Sequence, residues 1–160
     1  MKLSKNFWLS ELTNSRTAKL EGIKNNPSSV EVENLKRLCE NVLQPTRDYI
    51  GEPININSGF RSKKLNTAVR GSKTSSHMKG EAADIESNDD KNNVEMFCFI
   101  ADNLDFDQLI IYKSTEGRPR FVHVSYAEGD NRNQVMLKRD GGGYELTDSD
   151  AIKLEFPDWI

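Results

Sequence analysis

The chain holds no stretch of about 18 consecutive apolar residues, so no segment is long enough to cross a bilayer as a helix. Its first residues, MKLSKNFWLSEL, lack the unbroken apolar core of a secretory signal, because polar residues separate Leu3, the Phe7-Trp8-Leu9 run and Leu12. A protein that stays in the cytoplasm of the cell that makes it is therefore expected. Positive charge is not in surplus. With 22 Lys and Arg against 25 Asp and Glu, the formal charge of -3 excludes the broadly basic surface that phosphate neutralisation needs, and argues against a nucleic-acid partner. Cysteine is scarce: Cys39 and Cys98 are far apart, form no C-x-x-C pair and lie in apolar helical patterns, which reads as two reduced core residues. Histidine is equally rare, present only as His77 and His123.

What is present describes an ordinary globular chain. At 160 residues, 36% hydrophobic and 29% charged, it is long enough for one continuous core, and a single domain over residues 1–160, acting as a monomer, is expected. Charge is unevenly spread. Arg61, Lys63, Lys64, Arg70, Lys73 and Lys79 fall in a stretch without an acid, and Glu81 to Asp107 is strongly acidic; both runs read as solvated faces.

Ser28 and Glu31 have the spacing of a capping box, so a helix begins there and carries Leu35, Leu38, Cys39, Val42 and Leu43 as one apolar stripe until Pro45 kinks or ends it. Ahead of it, the Asn25-Asn26-Pro27 stretch reads as a turn. Residues 53–57, PININ, alternate like a short strand, and Ser62 to Val69 suits a short helix. After the Ser/Gly-rich stretch 71–76, Glu81 to Ile85 is strand-like, and Val94, Phe97, Cys98, Ala101 and Leu104 mark a second buried helix. Gln108 to Tyr112 and Phe121 to Tyr126 form a hairpin around Gly117 and Pro119, and Gln134 to Lys138 is a further strand before the Gly141-Gly142-Gly143 turn. The pattern predicts an α+β fold, a small antiparallel sheet with flanking helices.

Both histidines lie where a ligand would be useful. Gly80 lets the chain turn sharply, so His77 can stand on a loop while Asp84 projects from the strand that follows. Alternation places Phe121, His123 and Ser125 on one strand face and Val122, Val124 and Tyr126 on the other. If these strands are neighbours, His77, Asp84 and His123 make a set of two histidines and one carboxylate that leaves a metal one open position. Spacing alone leaves open the competing reading of two hydrogen-bonded structural histidines.

The run Ser75-Ser76-His77-Met78-Lys79-Gly80-Glu81-Ala82-Ala83-Asp84 resembles the S-x-H-x-x-G-x-A-x-D signature of the zinc D-Ala-D-Ala carboxypeptidases and L-Ala-D-Glu endopeptidases, which share the hedgehog/DD-peptidase fold. Ile56-Asn57-Ser58-Gly59-Phe60-Arg61-Ser62 is similar to that family's upstream SG(Y/F)RS element, and Phe121-Val122-His123-Val124-Ser125 to its downstream (W/F)xHV(S) element. The N-terminal part, with LSKNFWLSEL and LKRLCENVLQP, is similar to the phage-type branch, so the likeness covers roughly residues 3–138.

The resemblance implies a Zn2+ ion on His77, Asp84 and His123, and hydrolysis of peptide bonds in peptidoglycan stem peptides by a phage or prophage lysis enzyme that reaches the wall after release. It makes Arg61 a catalytic or substrate-binding residue, stabilising the oxyanion or holding a substrate carboxylate. Ser75 and Gln108 are expected at the substrate, and the basic stretch from Arg61 to Lys79 beside anionic wall polymers. The chain departs from the family at the general base. Many members carry an acid three residues before the second histidine, where this chain has Arg120, and other phage-type members end the FDQLI strand in a glutamate, where this chain runs on through Ile111, Tyr112 and Lys113. Glu116, in the hairpin turn, is the first candidate base and Asp107 the second, the latter also able to orient Gln108 or a ligand histidine. A module that keeps the metal but not the catalysis is the alternative.

Overall fold

A computed structural model describes residues 1–160. The chain runs through α1 (Leu9–Thr13), α2 (Arg16–Glu21), α3 (Ser29–Leu38), α4 (Gln44–Ile50), β1 (Asn55–Ser58), α5 (Lys63–Ala68), β2 (Ala82–Glu86), α6 (Asp90–Asn103), β3 (Gln108–Lys113), β4 (Pro119–Ser125), β5 (Gln134–Arg139), β6 (Tyr144–Leu146) and α7 (Ser149–Glu155). The six strands form one sheet in the order β1-β2-β4-β3-β5-β6 with helices flanking it, an α+β fold. No helix is long and apolar enough to cross a membrane.

Period two decides the sheet's two faces. Ala83, Ile85, Leu109, Ile111, Val122 and Val124 point to one side and are completely buried in a core that reaches from Leu3 to Phe156. Against them packs α6, through Val94 and Phe97, and Leu35 and Leu38 of α3 belong to the same core. The opposite face carries the polar residues Asp84 and His123, directly paired across β2 and β4.

One element differs from expectation, and a second decides between two expected outcomes. The sheet is not wholly antiparallel, because β3 and β5 pair in parallel, with Gln108 opposite Gln134 and Tyr112 opposite Lys138. The end of β4 lies beside the start of β3, so a short crossover over the sheet's end delivers β5 in the direction of β3. Asp107 pins that crossover: its carboxylate accepts from Arg132 Nε at 2.7 Å and Nη2 at 2.9 Å, and its carbonyl accepts from Gln134 N at 3.0 Å. The second concerns Pro45, which of the two expected outcomes does not end the helix but accompanies a local irregularity in it. The capping box forms, with Ser28 N donating to Glu31 Oε2 at 2.6 Å. The apolar stripe then continues through a π-turn over Cys39–Leu43, in which Gln44 N–H bonds Cys39 O, and α4 follows. The wider turn relieves the clash between the proline ring and the preceding turn that a regular helix would impose. Both cysteines are free and buried, and burial pushes the Cys39 thiol up to about 12.

Near the C-terminus, α7 is fastened to the sheet by Glu155, which accepts from Arg139 Nη1 and, at 2.6 Å, from Lys113 Nζ. The Arg139 hydrogen bond, followed by the Lys113 one, outweighs burial and lowers the Glu155 carboxyl to about 2. A carboxylate depressed in the fold contributes stability above its unfolded value, about 4.3, and loses it as pH falls toward the folded value. Discounted for solvent screening, Glu155→Gln should therefore cost roughly 1 kcal/mol at neutral pH and progressively less below about pH 4. Urea unfolding at several pH values checks this; a gap that widens toward acid contradicts it.

Candidate metal centre

His77 sits on a 3-10 turn, Ser76–Lys79, that Gly80 ends in the left-handed region at φ 70°. A Cβ at Gly80 would also fall 2.4 Å from the Glu31 carbonyl oxygen, so the reversal that sets β2 beside His77 requires glycine on two counts. His77 is buried, and its Nδ1 donates to the Gly59 carbonyl at 2.7 Å. With the proton fixed on Nδ1, the Nε2 lone pair faces Asp84 Oδ1 at 3.4 Å. His123 reaches the same oxygen with Nδ1 at 2.8 Å. The two imidazole rings stand 5.1 Å apart, tilted by 58°. Ligand atoms of His77, Asp84 and His123 all lie within 4.8 Å of one another, an arrangement that can hold a metal ion.

The other Asp84 oxygen is engaged by Arg61, whose Nη2 donates to Oδ2 at 3.2 Å while its Nε donates to Ser58 Oγ at 2.9 Å. Burial pushes the Asp84 carboxyl upward, but the His123 hydrogen bond, with the His77 ring close by, prevails and holds it well below the usual carboxylate range. It is an anion at any working pH.

The loop that carries Gly59 and Arg61 is tied to the N-terminal helices. Phe60 N donates to Leu12 O at 2.7 Å. Asn25 Nδ2 donates to the carbonyls of Thr13 at 2.9 Å and Phe60 at 3.0 Å, and its Oδ1 accepts from Ser62 N at 2.7 Å. The sequence shows Asn25 only as part of a turn; its bridging role depends on contacts across the fold.

The three side chains stand in an open cleft of about 340 Å3 whose walls include Arg61, Ser75, Gln108, Tyr112 and Tyr144. N/N/O donors, one imidazole already oriented by a backbone carbonyl, and solvent access on the remaining side fit a divalent metal with an open position.

A family model described as Peptidase M15 matches residues 5–125, well over half of the chain. The chain belongs to the M15 peptidase family. No curated protein matches it. M15 peptidases are metallopeptidases, and the matched segment contains all three converging side chains.

Of the remaining residues singled out in the sequence, Arg61, Ser75 and Gln108 line the M15 cleft, and Gln108 Nε2 is held by Gln134 Oε1 at 2.7 Å. Glu116 does not. It lines a separate depression with Glu86, Asp90 and Arg118, because the hairpin turn projects beyond the end of β3 rather than folding back over His77, Asp84 and His123. Asp107 is outside the cleft as well, since its carboxylate is taken by Arg132, whose hydrogen bond lowers its pKa, and it orients neither histidine. Arg120 turns toward Asp140, with Nη1 3.6 Å from Oδ2. Asp84 is thus the sole acid lining the cleft. Sequence reasoning gave no role to Tyr112 and Tyr144, which do line it. Tyr112 was within reach of the period-two argument, two residues beyond Ile110, whose partner across the hairpin is His123. Tyr144 lies beyond the glycine turn, where no pattern flagged a strand.

Proposed function

We propose that the protein is a zinc peptidase that hydrolyses peptide bonds in peptidoglycan stem peptides, a monomeric phage or prophage lysis enzyme made in the cytoplasm and acting on the wall after release. The observation that carries this reading is the meeting of His77, Asp84 and His123 in an open cleft of an M15 chain. These three residues hold the metal. When bound, zinc polarises the scissile carbonyl and lowers the pKa of water toward neutrality.

The chain's own groups do the rest. The Gly59 carbonyl fixes the His77 tautomer and strengthens the ring as a donor. Arg61 orients the Asp84 carboxylate, and its other guanidinium N–H groups face a substrate carbonyl or carboxylate. Ser75 and Gln108 bond the peptide backbone along the cleft wall. The net charge of -3 keeps nucleic acid out of the list of partners.

One observation favours a second reading, a module that binds metal and wall without cutting it: no second carboxylate lines the cleft to take the proton from water. Incubating the zinc-loaded protein with purified muropeptides, followed by mass spectrometry, decides between them. The peptidase reading predicts new termini that disappear with a chelator and return with zinc. Loss of terminal D-Ala marks a carboxypeptidase, and cleavage after L-Ala an endopeptidase. Full zinc occupancy with muropeptide binding and no cleavage establishes the second reading.

A further inference from the structure

We infer that Tyr112 is a catalytic residue of this cleft, a phenol that donates a hydrogen bond to the substrate oxygen on which negative charge develops when the scissile carbonyl is attacked. The inference rests on the peptidase reading and extends it to a residue to which the family resemblance assigns no role. Three observations carry it.

The first is position. On β3, Gln108, Ile110 and Tyr112 share the open face and all line the cleft. Ile110 is the cross-strand partner of His123, which places Tyr112 two residues, about 7 Å, farther along the same wall, within reach of a phenol for a carbonyl seated at the metal ligands.

The second is rigidity. The Tyr112 ring stacks on Phe121 of β4 with centroids 4.3 Å apart and planes within 21°. On its other side the row continues across the sheet, Tyr112 opposite Lys138 and Lys138 opposite Tyr144, so Tyr144 walls the cleft beside it. A ring held this way meets a developing charge without reorganising, which is what makes such donors effective.

The third is the protonation state and the prior engagement of Arg61. Burial, the adjacent Tyr144 phenol and the Asp84 charge all push the Tyr112 pKa up, so the group stays neutral and keeps its proton to donate. Arg61, the cationic side chain of the Arg/Lys type in the cleft, already has Nε on Ser58 and Nη2 on Asp84. Tyr112 keeps its proton throughout, and the O–H···O contact strengthens as the oxygen becomes anionic.

The test compares wild type with Tyr112→Phe, which preserves the ring stack, each as the full zinc-loaded chain. Muropeptide kinetics, zinc content and calorimetric binding of a phosphinate dipeptide, a tetrahedral anion that mimics the attacked carbonyl, are measured together. The inference predicts kcat lower by on the order of 100-fold with KM within about threefold, a comparable loss of phosphinate affinity, and unchanged zinc. Equal phosphinate affinity in the two proteins overturns it, as does an activity loss that merely follows a loss of zinc. If wild type cleaves no muropeptide, the peptidase reading fails on its own; the phosphinate comparison still reads Tyr112, a gap of about tenfold or more supporting the donor role and equality refuting it.

Discussion

Replacing His77 with alanine should give a protein whose zinc content after dialysis falls from about one equivalent per chain to near zero, and whose kcat/KM on muropeptides falls by on the order of a thousandfold or more. Two ligands cannot hold a divalent ion against hydration as three do, and of the three proposed ligands His77 is the one that joins the 3-10 turn to the Gly59 loop. A structural effect separates it from its partner. His77→Ala also leaves the Gly59 carbonyl without its donor in a buried setting, which should lower the stability of the zinc-free protein by about 1–3 kcal/mol. His123→Ala removes the metal equally, yet the ring's hydrogen bond goes to Asp84 and leaves no backbone carbonyl without its donor, so the zinc-free protein should lose less. Elemental analysis and urea unfolding of both variants without zinc check the pair. Retention of zinc by His77→Ala would remove that residue from the ligand set.

The second large effect is predicted at a residue without a side chain. A Cβ on Gly59 would lie 2.3 Å from the Leu12 carbonyl oxygen, a backbone atom that cannot turn aside. Gly59→Ala must push the loop away from α1, strain the Phe60 to Leu12 hydrogen bond, and draw the Gly59 carbonyl off His77 Nδ1. The expected cost is about 3 kcal/mol of stability. Zinc affinity should fall by 10- to 100-fold, roughly the effect of losing a partner that orients a metal-bound histidine. Denaturation of the zinc-free variant and competition with a calibrated chelator measure the two losses separately. A stable variant that binds zinc like wild type would show that this loop does not set the His77 geometry.

Much of this architecture is readable from residues alone, for identifiable reasons. The stripe from Leu35 to Leu43 and the alternation around His123 each report one interface with the core, and such periodic signals survive without knowledge of the rest of the chain. The pairing of Asp84 with His123 follows the same logic, since two strand residues facing one side need only adjacent strands to meet. What was not legible depends on contacts between segments distant in sequence. The parallel β3–β5 pair is decided by where β4 ends in space, which no local pattern encodes. Arg61 bonding Asp84, and Asn25 bridging Thr13, Phe60 and Ser62, are likewise products of the assembled fold. The C-terminal helix is a different case. Asp148 accepts from Ala151 N at 2.8 Å, and Ile152 and Phe156 are buried one turn apart, a cap and a stripe that were present in the sequence and passed over. Glu116 stands in a separate depression, and a turn's position in the chain says little about the direction in which its side chains project.

The absence of a second acid from the cleft shapes the chemistry more than any residue present. On the proposed reading, a peptidase whose one cleft carboxylate holds the metal draws its transition-state stabilisation from neutral and cationic donors, with Arg61 and Tyr112 proposed for that role. Such a site is expected to turn over slowly while still recognising the tetrahedral anion well.

A crystal grown from zinc-loaded protein, with anomalous data collected on both sides of the zinc absorption edge, tests the metal centre most directly. The account predicts one strong zinc peak bonded to His77 Nε2, a carboxylate oxygen of Asp84 and His123 Nδ1, with nitrogen and oxygen distances of about 2.0–2.2 Å. A map with no zinc between these three side chains, or with the ion bound elsewhere, would contradict it.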